Sequence, residues 1–265
     1  MILASIHWNV DPEIFRIGRF AIRYYGLLWA LSFYLGYLIF NKFVKKEGLP
    51  EGFLDSLTLY TAIGTILGAR LGHCLFYQPD YYISHPLDIL KIWQGGLASH
   101  GAAIGIIIAI YLFSRKQKVS WTYVMDRLVI TVALAGFLIR LGNLMNSEIY
   151  GVETSLPWGF IFEQNNEIFP KHPTQLYEAF IYLLIFLLLY FIYQKTNGKP
   201  RTGLLFGLFL IGIFSARFII EFVKEPQVDF EKAMSLNMGQ LLSIPFVLAG
   251  VGFVAYSYFQ SKNVS

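Results

Sequence analysis

From Phe137 to Gly151 the chain reads Phe-Leu-Ile-Arg-Leu-Gly-Asn-Leu-Met-Asn-Ser-Glu-Ile-Tyr-Gly, the end of an apolar run that meets Arg140, Asn143 and Asn146 before it reaches water. An arginine at membrane depth costs at least ~2.5–3.5 kcal/mol, so it has either a partner or a task. At about 100° per residue, Arg140, Asn143 and Ser147 fall on one helical stripe, with Gly136 a turn below to admit a close neighbour. A permanent cation beside amide and hydroxyl groups suits a phosphate ester. The competing use is an arginine neutralised by a carboxylate from another helix, for structure alone.

The elements that must hold these groups are apolar. The 265-residue chain is 55% hydrophobic and 17% aromatic, with only 14% charged residues, which reads as an all-α polytopic membrane protein. The runs do not alternate polar and apolar positions as the strands of a membrane barrel do. About seven spans of ~20 residues are expected, near 22–40, 56–77, 97–113, 122–146, 174–193, 203–222 and 239–259. Three short loops are basic: Lys42, Lys45 and Lys46; Arg115, Lys116 and Lys118; Lys195, Lys199 and Arg201. They are read as cytoplasmic, and Lys262 puts the C-terminus on that side. Arg16, Arg19 and Arg23 argue weakly the other way, but the alternation of the remaining loops places the N-terminus outside. Residues 78–95 and 147–172 are then extracytoplasmic, the second segment long enough for a small cap, and 1–265 forms one transmembrane domain. The segment Tyr81–Trp93 is expected to lie on the membrane surface rather than to span it. Gly64, Gly68 and Gly72, and Gly101, Gly105 and Ala109, form small-residue ladders for close helix packing.

Composition also excludes. The formal charge of +4 sits in short loops, as topology signals rather than a nucleic-acid patch. Cys74 is the only cysteine, so neither a disulfide framework nor a cysteine metal site is available. Asp11-Pro12 interrupts the N-terminal segment, which is therefore not read as a cleaved signal peptide.

With this topology the polar groups of the spans gather in one outer layer. Arg70, Arg140 and Arg217 each lie some five to seven residues before the outer end of a span, a depth of about 8–10 Å at ~1.5 Å per residue. Tyr25, Ser99, His100, His172, Thr174, Gln175, Tyr177 and Glu178 lie at the beginnings of inward-running spans. Three arginines favour an anionic headgroup. His100 is the group best able to take a proton near neutral pH, with an interfacial structural histidine as the alternative. Glu148, Glu178 and Glu221 can be acids or bases, but pairing with the arginines is the expected use; Glu221 stands at i, i+4 from Arg217. Metal-ligand spacing, a nucleophile elbow and a phosphate-cradling glycine loop are all missing. The residues alone support a lipid-facing anion site with a candidate base. A lipid or anion transporter remains the rival, although the inner halves of the spans are apolar apart from Asp126 and Arg127.

Taken together, the motifs resemble the prolipoprotein diacylglyceryl transferases of bacterial inner membranes over nearly the whole chain. They are Tyr24-Tyr25-Gly26, Gly68-Ala69-Arg70-Leu71-Gly72, Gly95-Gly96-Leu97-Ala98-Ser99-His100-Gly101, the Arg140–Glu148 signature ending at Gly151, His172-Pro173-Thr174-Gln175-Leu176-Tyr177-Glu178, Arg217–Phe222 and Met238-Gly239-Gln240. Ala102, Ile139, Leu144, Ser147 and Ile213 depart from the usual pattern; Ser147 stands where glycine is common. The resemblance implies transfer of a diacylglyceryl group from phosphatidylglycerol to the lipobox cysteine thiol of a prolipoprotein signal peptide, with release of glycerol phosphate and an active site on the periplasmic side. It further implies that Arg140 and Arg217 hold the phosphate and His100 takes the thiol proton. Tyr25, Asn143, Asn146, Glu148 and Gly151 would line the phosphatidylglycerol site, with Arg70 a weaker lipid contact. His172, Gln175, Glu178 and Glu221 would support them. No metal or organic cofactor is called for, and no nucleic-acid partner.

Overall fold

Within hydrocarbon a backbone must close its own hydrogen bonds, so long apolar runs coil into helices. The computed structural model describes residues 5–18, 20–92, 96, 98–225 and 236–262. Among them the long helices are α1 Tyr24–Glu47, α2 Phe53–Phe76, α4 Ser99–Gln117, α5 Trp121–Met145, α6 Thr174–Lys195, α7 Leu204–Ile220 and α8 Met238–Lys262, with a short α3, Pro79–Ser84, after α2. These follow the expected runs, except that α1 continues past residue 40 to Glu47 and carries Lys45 and Lys46 in its last turn. Cations there are favoured by the negative end of the helix dipole.

By length and composition, α1, α5, α6, α7 and α8 can cross a membrane. Among the described residues, five of the seven expected spans meet that measure. The two that fall short are interrupted. α2 carries Asp55, Arg70 and His73 among its glycines, and α4 begins Ser99-His100 and ends in Arg115-Lys116-Gln117. The helical class stands, and two small sheets lie outside the helices. Strand β1, Ile6–Trp8, pairs in parallel with β4, Phe160–Phe162, and β2, Glu13–Ile17, pairs antiparallel with β3, Phe20–Arg23. The segment after α2 is α3 followed by a 3₁₀ turn, Pro86–Leu90, and forms no span; Trp93, Gln94, Gly95 and Leu97 lie outside the described residues.

The chain divides into two compact units, Met1–Phe40 with Asp126–Ser265, and Asn41–Met125. In the smaller unit, α2 and α4 meet along the glycine ladders. A Cβ on Gly72 would stand 2.7 Å from the Gly101 Cα, and one on Gly64 would stand 2.6 Å from the Ala109 Cβ. Side chains there would push the backbones apart. The fully buried Phe113 sits beside the rings of Phe53 and Tyr60, with centroids 4.9 and 5.8 Å away.

In the larger unit, α7 packs between α6 and α8. Gly136 of α5 leaves room for the Tyr182 ring of α6, which would lie 2.9 Å from a Cβ there. Asp126, fully buried, accepts hydrogen bonds from the backbone N–H groups of Gly203 (2.7 Å) and Phe206 (2.9 Å) and so caps the N-terminus of α7. Arg127 donates to the Gly198 carbonyl at 2.9 Å. At the other end of α5, Leu144, Phe160 and Phe162 bury together with Trp8, Tyr150 and Leu176 packed around them. The Trp8 indole donates to the Leu144 carbonyl at 3.1 Å, fixing the β1–β4 pair to the helix end.

Candidate functional site

The signature stretch is shaped by how α5 stops. Ser147 has φ 52°, in the left-handed region. Its N–H bonds the Leu144 carbonyl (2.9 Å), and the Glu148 N–H bonds the Asn143 carbonyl (3.0 Å). This pair of bonds is a Schellman cap, a motif that normally places glycine at the left-handed position. The expected stripe therefore ends early. Arg140 and Asn143 do meet, Nη1 donating to Oδ1 at 3.0 Å, but Ser147 has turned off the helix and its buried Oγ has no hydrogen-bond partner among the described residues. The turn folds Glu148 back, so that Oε1 accepts from the Asn143 amide (2.8 Å) and the Asn146 amide (3.3 Å).

Helix α6 supplies the opposite wall. Glu178, fully buried, sets Oε2 at 2.7 Å from Arg140 Nε and Oε1 at 3.4 Å from Lys224 Nζ. One turn earlier, Gln175 donates to the Glu148 carbonyl (2.7 Å) and Thr174 to the Ile149 carbonyl (2.9 Å), clamping the turn after α5. Tyr182, one turn later, lies in the fields of Glu178, Arg140 and Arg217. Tyr25 lies against Gly142, where a Cβ would come within 2.8 Å of its ring.

Gly151 admits the chain that follows α7. Its N–H bonds the His172 carbonyl at 2.8 Å, it bridges Lys224, and a Cβ would strike the Val223 carbonyl and come 2.8 Å from the His172 Cβ. His172 in turn places Nδ1 at 3.1 Å from the Tyr177 hydroxyl, which accepts from the Trp158 indole at 3.0 Å. Burial holds the His172 imidazole below its ordinary range.

The expected Arg217–Glu221 pair is replaced. Helix α7 ends at Ile220 and Glu221 opens a 3₁₀ turn, Glu221–Val223. Tighter winding eclipses positions i and i+3, so Glu221 Oε2 lies 3.8 Å from Lys224 Nζ. Gly239 leaves space for this carboxylate, which would stand 2.7–2.9 Å from a Cβ there. Arg217 has no ion pair among the described residues, and its buried Nε lacks a hydrogen-bond partner. The buried Asn146 Oδ1 and Gln175 Oε1 are also unpaired within the protein. Buried polar atoms are normally satisfied, so these atoms are candidates for contact with a polar ligand.

Arg70 and His100 belong to the smaller unit. Arg70, 3% exposed, donates to the carbonyls of Ile89 (2.8 Å), Asp88 (2.5 Å) and Gly96 (3.3 Å), with its guanidinium over the Tyr82 ring. It fastens the segment after α3. His100, in the first turn of α4, is exposed. Thus Tyr25, Arg140, Asn143, Asn146, Glu148, Gly151, His172, Gln175, Glu178, Arg217 and Glu221 all lie in the larger unit. Sequence reasoning missed Lys224 and Tyr182. Lys224 follows a helix end in a polar stretch, where a lysine is ordinary; Tyr182 hides among the aromatics of an apolar helix.

Comparison with known proteins shows the family. The family model described as prolipoprotein diacylglyceryl transferase matches residues 12–256. A phosphatidylglycerol–prolipoprotein diacylglyceryl transferase of Tolumonas auensis is 50% identical over 247 residues, 93% of this chain and 95% of the relative. Proteins of the same name from Porphyromonas gingivalis and Chloroherpeton thalassium are 47% and 45% identical, the alignments covering 95% and 97% of this chain and 94% and 96% of theirs. On this full-length similarity, joined to the site that the signature builds, the chain belongs to the prolipoprotein diacylglyceryl transferase family.

Proposed function

We propose that this protein is a membrane transferase that moves the diacylglyceryl group of phosphatidylglycerol onto prolipoproteins, the first step of lipoprotein maturation. The observation that carries the reading is the pair of half-buried arginines, Arg140 and Arg217. Arg140 is held by Glu178 and Asn143, while Arg217 is left without an ion pair among the described residues. A fixed guanidinium in a water-poor site is suited to a phosphate ester.

In chemical terms the acceptor is the lipobox cysteine of the signal peptide. Its sulfur attacks the glycerol carbon that bears the phosphate; a carbon–sulfur bond forms, the carbon–oxygen bond breaks, and glycerol phosphate leaves with the electron pair. A free thiol, with a pKa of ~8.5, is mostly protonated at neutral pH, and His100 is the base that takes its proton. Charge gathers on the leaving phosphate, where Arg140 and Arg217 stabilise it by several kcal/mol, the scale on which fixed donors act in a low-dielectric site. Tyr25, Asn143, Asn146, Glu148 and Gly151 line the headgroup site and Glu178 orients Arg140. The working unit is one transmembrane catalytic domain over 1–265, with α2 and α4 completing seven spans. Its N-terminus and the 147–172 cap lie on the periplasmic side of the inner membrane and its basic loops in the cytoplasm.

The deciding experiment combines purified protein, phosphatidylglycerol and a synthetic lipobox peptide, read by mass spectrometry. The expected product is the peptide carrying a diacylglyceryl mass on cysteine, with glycerol phosphate in equal amount. Binding of phosphatidylglycerol without either product, in a folded preparation, would overturn the transferase reading in favour of lipid transport.

A further inference from the structure

The β2–β3 hairpin has two chemically different faces. Residues directly opposite each other in an antiparallel pair share a face, and alternate residues return to it. Phe15 pairs with Ile22 and the Ile17 backbone with that of residue 20, which puts Phe15, Ile17 and Ile22 on one side; Arg16 pairs with Ala21 on the other. Strict alternation would place Glu13 on the apolar side. The register shift between Glu13 and Phe15 moves it opposite Arg23 instead. There it binds Arg16 at 2.7 Å and Arg23 at 3.2 Å. The ion pairs thus occupy one face and leave the other purely apolar.

That apolar face is uncovered. Phe15 is 49% exposed, Ile17 67% and Ile22 41%. A two-stranded ribbon is marginal by itself in water, and a contiguous exposed apolar patch marks an interaction surface. Its position says what covers it. β3 ends at Arg23 and the membrane-crossing helix α1 begins at the next residue, Tyr24, whose N–H is tied back to the Pro12 carbonyl at 3.1 Å. The ribbon is therefore held at the level where α1 enters the bilayer. The side chains of Arg16 and Arg23, 60% and 58% exposed, have the charge that lipid phosphates attract.

We propose that the β2–β3 hairpin is an interfacial anchor, seated on the phospholipid surface with Phe15, Ile17 and Ile22 in the acyl boundary and Arg16 and Arg23 at the phosphates. An element of this kind sits about 5–10 Å into the headgroup and acyl boundary. The proposal rests on α1 crossing the membrane and not on the reaction catalysed.

The test places an environment-sensitive fluorophore on single cysteines, Phe15→Cys, Ile17→Cys, Ile22→Cys and Arg16→Cys, in the full chain in phosphatidylglycerol nanodiscs. Cys74, 2% exposed, stays in place, and the unsubstituted protein is the labelling blank. Labels at 15, 17 and 22 are expected to be quenched several-fold more by doxyl lipid than by aqueous iodide, with the order reversed at 16. Stronger iodide quenching at all four sites would overturn the proposal, as would protection from both quenchers, which would mean a protein cover such as a second copy. Equal lipid quenching at all four would overturn the two-faced seat. A fold control by circular dichroism accompanies each variant, and Arg23→Cys gives a second label on the charged face, so failure of any one label leaves the alternation readable from the others.

Discussion

Arg140 divides its fork between two neighbours, Glu178 through Nε and Asn143 through Nη1, and this division cannot be copied by a point charge. Arg140→Lys is expected to fold and to lose turnover by roughly 10–100-fold, the loss of one charge-assisted hydrogen bond at 1.5–3 kcal/mol. Near-normal activity in the peptide assay would dismiss the fork. His100→Gln tests a different role: turnover should vanish while phosphatidylglycerol binding persists, and retained turnover would remove His100 as the base. Arg140 and its partners were legible in the sequence because ionisable groups inside an apolar run are conspicuous. Lys224 was not, since nothing in its own neighbourhood separates it from a solvated lysine.

At the scale of elements, the ends of helices build the site more than their middles. The end of α5 turns through Ser147 at φ 52° and Ile149 at φ 61°. Left-handed backbone costs a residue with a side chain ~1–2 kcal/mol, and the Ser147 Oγ is buried without a partner. Ser147→Gly is therefore expected to raise stability by about 1 kcal/mol, read as a higher unfolding temperature in detergent; an unchanged or lower midpoint would refute the strain argument. The end of α7 winds into a 3₁₀ turn that sends Glu221 to Lys224 instead of Arg217. Removing one partner from a buried ion pair costs about 3–5 kcal/mol, so Lys224→Met should unfold far more readily than Lys224→Arg. Similar midpoints for the two variants would show that the charge of Lys224 matters little to the fold.

For the whole molecule, the distribution of charge between loops sets the orientation proposed above. A cysteine introduced at Ser155, in the cap, should react with a membrane-impermeant thiol reagent on spheroplasts, and one at Lys199 only after lysis. The reverse pattern would invert the topology. Asp126 and Arg127 bear on the transporter alternative: the polar groups that stood out at the inner end are occupied in capping α7 and binding the Gly198 carbonyl. They are fixed structural contacts, so they offer no continuation of a polar path.

The sequence by itself determined the membrane-protein class, the helix positions and the family, because hydrophobic periodicity and the order of polar motifs are local properties of the chain. It also marked the glycines at which α2 meets α4. Only the tertiary structure decided the pairing. Which carboxylate neutralises which cation depends on helix ends and on elements far apart in the chain: Glu178 reaches both Arg140 and Lys224, and Glu221 takes Lys224. The small strands escaped notice because three to five residues carry little periodic signal and are fixed by partners as distant as Ile6 and Phe160. Spacing along one chain gives a helix its face, but a buried charge finds its partner in three dimensions, where desolvation penalises every group left alone.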